Sequence, residues 1–316
     1  MSTKIKKTLK IVLPLILGGL LVWYMFTKIS PAKLLEYFKN ANYWWIALGL
    51  FFGILSHLSR AYRWKFMLEP MGYKPKFMNS TLAVLIAYFV NLALPRAGEV
   101  SRAAVMANYE DIPFEKGFGT IVAERIADLI MMFIIIGITL LIQFDFILEL
   151  VKKNFDPVKI GIGIAALALG IFIFTRYVKK ANSGFGLKIK TFVKSLVEGV
   201  TSIFRMKKKW AFIFHTVFIW AMYVAMFWAT IPAVEGLHVP LGAILVGFIA
   251  GGFSIAATNG GVGLYPVAVA GAFSLFAIPE EPSNAFGAIM WSAQTAMIII
   301  FGGLSFLVLP IYNKDK

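Results

Sequence analysis

The sequence has no cysteine and only three histidines, and these two scarcities exclude several kinds of chemistry. Without cysteine there is no disulfide framework, no thiolate nucleophile and no cysteine metal site. Three scattered histidines cannot form a histidine-rich metal site. No Gly-x-x-x-x-Gly-Lys-Ser/Thr sequence is present to bind the phosphates of ATP. We therefore expect no metal, no cofactor and no direct use of ATP.

Charge is also scarce, since 15% of the 316 residues are charged and 59% are hydrophobic. The mean hydropathy is +0.77, and so few charges cannot cover the surface of a soluble domain of this length. Lipid must replace water over much of the surface. The net charge is +15, and the basic residues that produce it lie beside apolar segments. They therefore indicate membrane orientation and anionic lipid, and not nucleic acid.

Six apolar stretches, free of charge except for Asp128 in the third, are long enough to cross about 30 Å of hydrocarbon as helices. We take the first as an uncleaved span, because it ends in Trp23, Tyr24 and Phe26 where a signal peptide would have small residues. The predicted fold is an all-α polytopic membrane helix bundle. The six spans are Ile11 to Phe26, Trp44 to Leu58, Ile126 to Phe144, Ile160 to Thr175, Trp210 to Thr230 and Ala285 to Leu309.

Two further apolar segments, Met78 to Ala107 and Leu241 to Ile278, are each interrupted by a polar patch with glycine and proline. Backbone groups in such a break cannot face lipid, because each unsatisfied group costs several kcal/mol. If Met78 to Leu94 crossed the membrane fully, the basic stretch 176–209 would lie outside the cell, against the positive-inside rule. We therefore predict two re-entrant helical hairpins, with both termini cytoplasmic, in the cell (inner) membrane.

The predicted organisation is a single integral membrane domain over residues 1–316. Residues 1–43 form the first span and an interfacial helix, and residues 44–144 form a span, a hairpin and a span. Residues 145–209 form a connecting span and a basic cytoplasmic amphipathic helix. Residues 210–316 repeat the span, hairpin and span from the opposite side, which is an inverted-topology repeat of the kind that transporters use.

Charges that remain at membrane depth are costly, so they are candidates for function. In one interpretation, the guanidinium groups of Arg96 and Arg102 bind an anionic lipid headgroup. The carboxylates then position those guanidinium groups, or bind a cationic headgroup or a coupling proton. In the other, the charges form an internal network that pins the first hairpin to the next span. The residues alone leave both interpretations open. The candidate binding residues are these six charged residues and the side-chain amide of Asn91: Asn91, Arg96, Glu99, Arg102, Glu124, Arg125 and Asp128.

The second break is neutral and rich in glycine. Its glycines permit positive φ, and free amides at the start of a half-helix suit an anion. The alternative is close packing through small residues. The candidate binding residues are Thr258, Asn259, Gly260, Gly261, Gly263 and Tyr265.

Three polar residues near the end of the second span have simpler predicted roles. Arg60 and Arg63 are expected to extend to the membrane interface as anchors. His57 is expected to be a packed, hydrogen-bonding residue.

Three motifs resemble the lysylphosphatidylglycerol synthase transmembrane, or flippase-like, family, which includes the membrane half of the multiple peptide resistance factor. The resemblance covers roughly residues 10–310. This chain departs from the family at Tyr265-Pro266, where the family often has a glutamate. The motifs are Asn91-x-x-x-Pro95-Arg96-x-Gly98-Glu99-x-x-Arg102, Glu124-Arg125-x-x-Asp128 and Gly260-Gly261-Val262-Gly263.

The resemblance implies a transporter, not an enzyme, that moves amino-acylated or other polar lipids between leaflets. Its partners would be membrane lipids with anionic or aminoacylated headgroups, and the sequence is compatible with a homo-oligomer. Two alternatives stay open: an intramembrane lipid-modifying enzyme with His57 or Glu124 as base, and a non-catalytic partner of a separately encoded lipid synthase. Because only a short tail follows the last predicted span, we expect this chain not to be the synthase by itself.

The predicted topology can be tested by labelling, because the chain has no native cysteine. We expect Ser183→Cys to react with a membrane-impermeant maleimide only after the cells are opened, since the basic stretch around it is predicted to be cytoplasmic. His238→Cys, in a loop predicted to be outside, is the control and is expected to react in intact cells. Labelling of Ser183→Cys from outside would contradict the topology.

Overall fold

A computed structural model describes residues 18–94, 96–146, 148–149, 166, 169–170, 172–177, 186–187, 190, 206–258 and 260–314. Within these residues all regular secondary structure is helical, which confirms the predicted all-α class. The predicted span at Ile160 to Thr175 and the basic helix at Phe185 to Met206 lie mostly outside the described residues. Residues 11–17 of the predicted first span, Pro95 and Asn259 lie outside them too, while residues 18–26 of that span are helical.

The chain divides into two compact units. The main unit comprises Met1–Val122 and Trp210–Lys316, and the second unit comprises Ala123–Lys209. Residues 18–28 are helical, and 3-10 turns follow α2 and α6 at Glu69–Met71 and Ile231–Ala233. The helices are α1 (Pro31–Asn40), α2 (Tyr43–Leu68), α3 (Phe77–Ala93), α4 (Ala97–Glu110), α5 (Phe114–Ile142), α6 (Lys209–Thr230), α7 (Leu241–Ala257), α8 (Leu264–Ser274) and α9 (Glu280–Tyr312).

Three of the described helices are long and apolar enough to cross a membrane: Phe114–Ile142, Lys209–Ala233 and Glu280–Tyr312. They contain three of the predicted spans and show an integral membrane protein. The predicted span at Trp44 to Leu58 lies in α2, which adds a fourth candidate span if it is joined with α1 across a bend of 85°.

The bend between α1 and α2 lies at the two residues that join them. Ser30 Oγ accepts from the backbone N of Lys33 (3.3 Å) and Pro31 opens α1. Asn42 Oδ1 accepts from the backbone N of Trp44 (3.1 Å) and caps α2 in the same way. Because α1 ends at Asn40 and the backbone of Ala41 and Asn42 is extended, the chain turns sharply before α2 begins.

Each interrupted segment forms two helices that pack against each other, α3 with α4 and α7 with α8. In the first hairpin (residues 77–110), Glu110 accepts from the backbone N of Lys76 at the open end (3.1 Å). In the second hairpin (residues 241–274), Gly247 faces Phe273, and Gly251 faces Tyr265 closer to the break. Both hairpins are therefore antiparallel, while their re-entrant placement in the membrane stays a prediction.

The helices that begin the two predicted repeats, α2 and α6, run antiparallel. Gly49 near the start of α2 faces Thr230 at the end of α6. Arg63 near the end of α2 donates to Thr216 Oγ1 near the start of α6 (2.9 Å). The inverted repeat requires opposite directions for these two helices, and the repeat as a whole remains a prediction.

Helix α9 forms a wall shared by both hairpins. A Cβ on Gly287 would lie 2.6 Å from Pro266 Cα of α8, and a Cβ on Gly302 would lie 2.5 Å from Phe89 Cβ of α3. At the end of α9, Asn313 and Asn79 exchange side-chain hydrogen bonds of 2.9 and 2.8 Å. The start of α9 thus packs on the second hairpin, and its end packs on the first.

We expect Gly302→Ala to destabilise the protein, because the added methyl group would force α9 away from Phe89 and the Leu85 carbonyl oxygen. Overpacking of this kind costs about 1 to 3 kcal/mol. Thermal unfolding of the purified protein in detergent measures the loss. The control is Gly303→Ala on the same helix, where a Cβ would lie 3.9 Å from Phe89 Cε2. Equal melting temperatures for the two variants would contradict the close contact.

Candidate functional site

The first break is a strained turn between α3 and α4. Leu94 leaves helical geometry with φ −130° and ψ 104°, as expected of a residue before proline. Arg96 then adopts a left-handed conformation with φ 64° and ψ 5°, and α4 begins at Ala97. A non-glycine residue in this region costs about 1 kcal/mol or more, and such residues cluster at functional sites.

Asn91 and Gly98 close this break. The backbone N of Gly98 donates to Asn91 Oδ1 (2.8 Å), so Asn91 satisfies one of the free amides at the start of α4. A Cβ on Gly98 would collide with the carbonyl oxygen of Ala87, so only glycine permits this approach. Asn91, predicted as a binding residue, therefore has its side-chain oxygen engaged in the turn.

Arg96 is exposed at the tip of the first hairpin. Within the part of the chain that the structure describes, no hydrogen bond, ion pair or ring contact involves its side chain. Glu99 lies half-buried in the first turn of α4, where the helix dipole favours a carboxylate. These features favour the headgroup-binding interpretation for Arg96.

Arg102 lies in a different environment, because it is only 2% exposed. Its guanidinium carbon lies 3.7 Å from the centroid of the Trp64 ring on α2. The indole N–H of Trp64 in turn donates to Thr120 Oγ1 (2.7 Å). A cation–π stack therefore ties α4 to α2, which favours the pinning interpretation for Arg102.

The second charged motif lies in the second unit, on α5. Glu124 is fully buried and Asp128 is 8% exposed. Arg125 Nη1 lies 3.4 Å from Asp128 Oδ2, as an i, i+3 pair on one helix. The burial of both carboxylates is typical of residues that hold a helix in place.

The second break has the backbone predicted for it. Gly260, Gly261 and Gly263 have φ of 69°, 83° and 68°, so three positions adopt conformations that favour glycine. Thr258 Oγ1 donates to the carbonyl of Ser254 (2.8 Å). Tyr265, in place of the family's glutamate, is buried. The described part of the second break is therefore a tight glycine turn in which Thr258 bonds back to its own helix and Tyr265 is buried.

Trp291 on α9 also belongs to this site, although the sequence analysis did not single it out. Its indole N–H donates to the carbonyl oxygen of Gly260 (2.7 Å). A tryptophan in the middle of an apolar helix needs a hydrogen-bond partner for its indole N–H. This requirement is the feature of the sequence that could have identified Trp291. Only the fold could identify Gly260 as the partner.

The two breaks lie next to each other. A Cβ on Gly260 would lie 3.6 Å from Leu92 Cδ2, just before the first break. Trp291 holds Gly260 at a point about 17 Å from the start of α9, in a helix about 50 Å long. The meeting point therefore lies well away from both ends of α9.

The predicted anchoring role of Arg60 and Arg63 is wrong, because they are 2% and 0% exposed. Arg60 Nη2 donates to Tyr223 Oη (3.3 Å), and Arg63 donates to Thr216 and lies over the Phe212 ring. The sequence could not identify α6 as the neighbour that supplies these polar partners. Both arginines therefore pack between α2 and α6.

His57 is packed, as predicted, and is 6% exposed, but the hydrogen bond expected of it is absent among the described residues, where its buried Nδ1 has no hydrogen-bond partner. Its ring centroid lies 4.4 Å from that of Tyr88 on α3. Among the described residues no group of three or more histidine, aspartate or glutamate side chains is placed to hold a metal ion.

The helices and the two hairpins define an all-helical integral membrane protein with charged residues beside one of its two broken segments. The family described as the lysylphosphatidylglycerol synthase TM region matches residues 11–302. The chain belongs to this family, as its motifs indicated.

Two curated relatives match parts of the chain. The UPF0104 membrane protein MJ1595 of Methanocaldococcus jannaschii is 33% identical over 40% of this chain and 38% of its own length. Glycosyltransferase AglD of Haloferax volcanii is 29% identical over 43% of this chain and 22% of its own length. The matched part thus spans well under half of either relative. No solved structure matches the chain.

The contrast between the two arginines predicts different effects of the same substitution. Arg102→Ala uncovers the Trp64 ring, and we expect it to lower the free energy of unfolding by about 2 kcal/mol or more. Arg96→Ala removes an exposed side chain and is expected to change it by less than about 0.5 kcal/mol. Thermal unfolding in detergent measures both. Equal losses of unfolding free energy in the two variants would show that the different burial of Arg96 and Arg102 does not give them different roles.

Proposed function

We propose that this protein is a flippase-like transporter that moves a polar or charged-headgroup lipid between leaflets. The observation that carries the proposal is Arg96, an exposed cation in a strained conformation at the first break, four residues after Leu92, which lies against Gly260 of the second break. A charge inside a membrane costs at least about 2.5 kcal/mol, and such residues mark substrate pathways. A guanidinium matches phosphate oxygens in a bidentate geometry, so the substrate is a lipid with a phosphate-bearing headgroup.

The arrangement of the hairpins supports alternating access. The open end of the first hairpin lies at the Asn313 end of α9, where Asn79 bonds Asn313. The open end of the second hairpin packs in a cluster with Val234 and Ile278, near the start of α9. Hairpins that open toward opposite ends and meet at their breaks fit an inverted repeat rocking about a central site.

The charge distribution supports one orientation of this arrangement. At the start of α9, Lys28 and Lys33 are paired with Glu280 and Glu281. Around the start of α3, three lysines lie over tyrosine rings: Lys65 over Tyr62, Lys76 over Tyr312 and Lys116 over Tyr73. Lysine beside aromatic rings is typical of a cytoplasmic membrane interface. We therefore place the Asn313 end of α9 and both termini on the cytoplasmic side.

The energy source follows from what the sequence lacks. Because it has no ATP-binding motif, we propose that transport is downhill or driven by protons or the membrane potential.

A second candidate function is a membrane partner of a separately encoded lipid-modifying enzyme. The relative AglD is named a glycosyltransferase, and this name favours a link to an enzyme, here one that transfers sugars. The two proposals differ in one measurable respect. A transporter moves lipid when it is purified alone, whereas a partner needs its enzyme.

Transport in liposomes containing only the purified protein tests the first proposal. We expect movement of fluorescent lipids with anionic, zwitterionic or lysyl-modified phosphate headgroups, and a loss of about 10-fold or more in Arg96→Ala, because one charge-assisted contact of about 1.5 to 3 kcal/mol disappears. Arg96→Lys keeps the charge without the bidentate fork and is expected to fall between the two.

The matched control is Lys39→Ala, which removes an exposed basic residue of α1 outside both breaks. It is expected to transport at the parent rate. Equal rates for Arg96→Ala and the parent would refute the site. No transport of any headgroup by folded parent protein would refute the transporter and favour the partner role.

A further inference from the structure

Residues 18–40, the helical residues 18–28 together with α1, cover the second break; we call them the strap. A Cβ on Gly263 would lie 2.6 Å from Val22 N and 2.7 Å from Leu21 C. A Cβ on Gly18 would lie 3.6 Å from Val262 Cγ1. The strap backbone therefore touches the glycine turn, and a side chain at position 263 would push it away.

Two exposed ion pairs hold the strap to the start of α9. Lys28 Nζ lies 3.1 Å from Glu280 Oε1. Lys33 Nζ donates to both carboxylate oxygens of Glu281 (3.0 and 2.9 Å), and Tyr37 donates to the same carboxylate (3.4 Å). The hydrogen bonds to Glu281 raise the pKa of Lys33 above its ordinary value, so this lysine is charged at neutral pH.

The other end of the strap is fixed more firmly. The backbone N of Asn42 donates to the carbonyl oxygen of Ala233 (3.0 Å). Ala41 belongs to the buried apolar cluster, and Phe38 packs against it. Between α1 and α2 the backbone at Ala41 and Asn42 is extended. The strap therefore has a fixed end with an extended joint beside it, and surface charges hold its middle part at Lys28 and Lys33.

The inner face of the strap also packs, since Met25 and Ile29 are buried. This apolar contact keeps the strap closed for most of the time, and the ion pairs add to it. Exposed ion pairs are individually weak and are screened by salt. At the opposite end of α9, the exchange between Asn79 and Asn313 is buried. The two ends of α9 are thus held by contacts of different strength.

We infer that the strap is a lid that pivots at Ala41–Asn42 and uncovers the second break when its ion pairs to Glu280 and Glu281 open. What the lid admits rests on the proposed function, in which the second break faces the lipid path. The lid motion itself is independent of that function. It can be measured without any lipid substrate.

The test is the rate at which Val262→Cys reacts with a soluble maleimide in the otherwise cysteine-free full chain. Because strap residues cover Val262, the parent background is expected to react slowly. Lys33→Glu places two carboxylates together and is expected to speed the reaction about two- to fivefold, since labelling follows the open population. The exchanged pair, Lys33→Glu with Glu281→Lys, restores attraction and is expected to return the rate toward that of the parent.

Two controls separate the lid from general loosening. Lys39→Glu makes the same charge change on α1 away from Glu281 and is expected to leave the Val262→Cys rate unchanged. Ser274→Cys is exposed at the end of α8 and is expected to react at one rate in every charge background. Raised salt is expected to speed the reaction of Val262→Cys in the parent background and not in Lys33→Glu.

Three results would overturn the lid. Fast labelling of Val262→Cys in the parent background would mean that the strap does not cover the break. An unchanged rate in Lys33→Glu would mean that the ion pair does not hold the strap. Equally fast labelling in the single and exchanged variants would mean that the substitution loosens the fold. If labelling follows the prediction and no lipid moves in liposomes, the lid stands and the proposed transport function fails.

Discussion

A backbone amide or carbonyl inside a bilayer has no water to bond with, and the two breaks in this protein depend on how that cost is met. In the first break the amide of Gly98 bonds the side chain of Asn91. In the second break the carbonyl of Gly260 accepts from Trp291. With these groups satisfied within the protein, the helices can stop and restart at each break without leaving those groups unbonded. The other residues of each break can then make contacts that are not needed to satisfy the backbone.

The same need for a partner inside the protein explains where the buried arginines lie. Arg60 and Arg63 lie between α2 and α6, where Tyr223 and Thr216 supply oxygen atoms, and Arg102 lies over Trp64. Each has a polar or aromatic partner on a neighbouring helix, which reduces the cost of burial. Arg96 differs because it is exposed in the turn of the first break. Three of these four arginines thus join neighbouring helices, and the fourth, Arg96, is exposed.

Much of the helix order could be predicted from the sequence, because hydropathy and breaker residues act locally. The interruptions near Pro95 and Gly260 were visible as polar patches in apolar segments, and the structure places helix ends there. Packing partners could not be predicted in this way. Arg60 and Arg63 were expected at the interface because they lie near a helix end, and nothing in their own segment indicates that α6 lies beside them. Trp291 was overlooked for the same reason.

The sequence by itself determined that the protein is a helical membrane protein, where its helices break and which charges lie beside the breaks. These properties follow from local composition, since each apolar segment must satisfy its own backbone in lipid. Only the tertiary structure decided which charges are buried and which are exposed, that the two breaks touch, and that the strap lies over Gly263. Those properties depend on contacts between residues far apart in the chain, and such contacts form only when the helices pack.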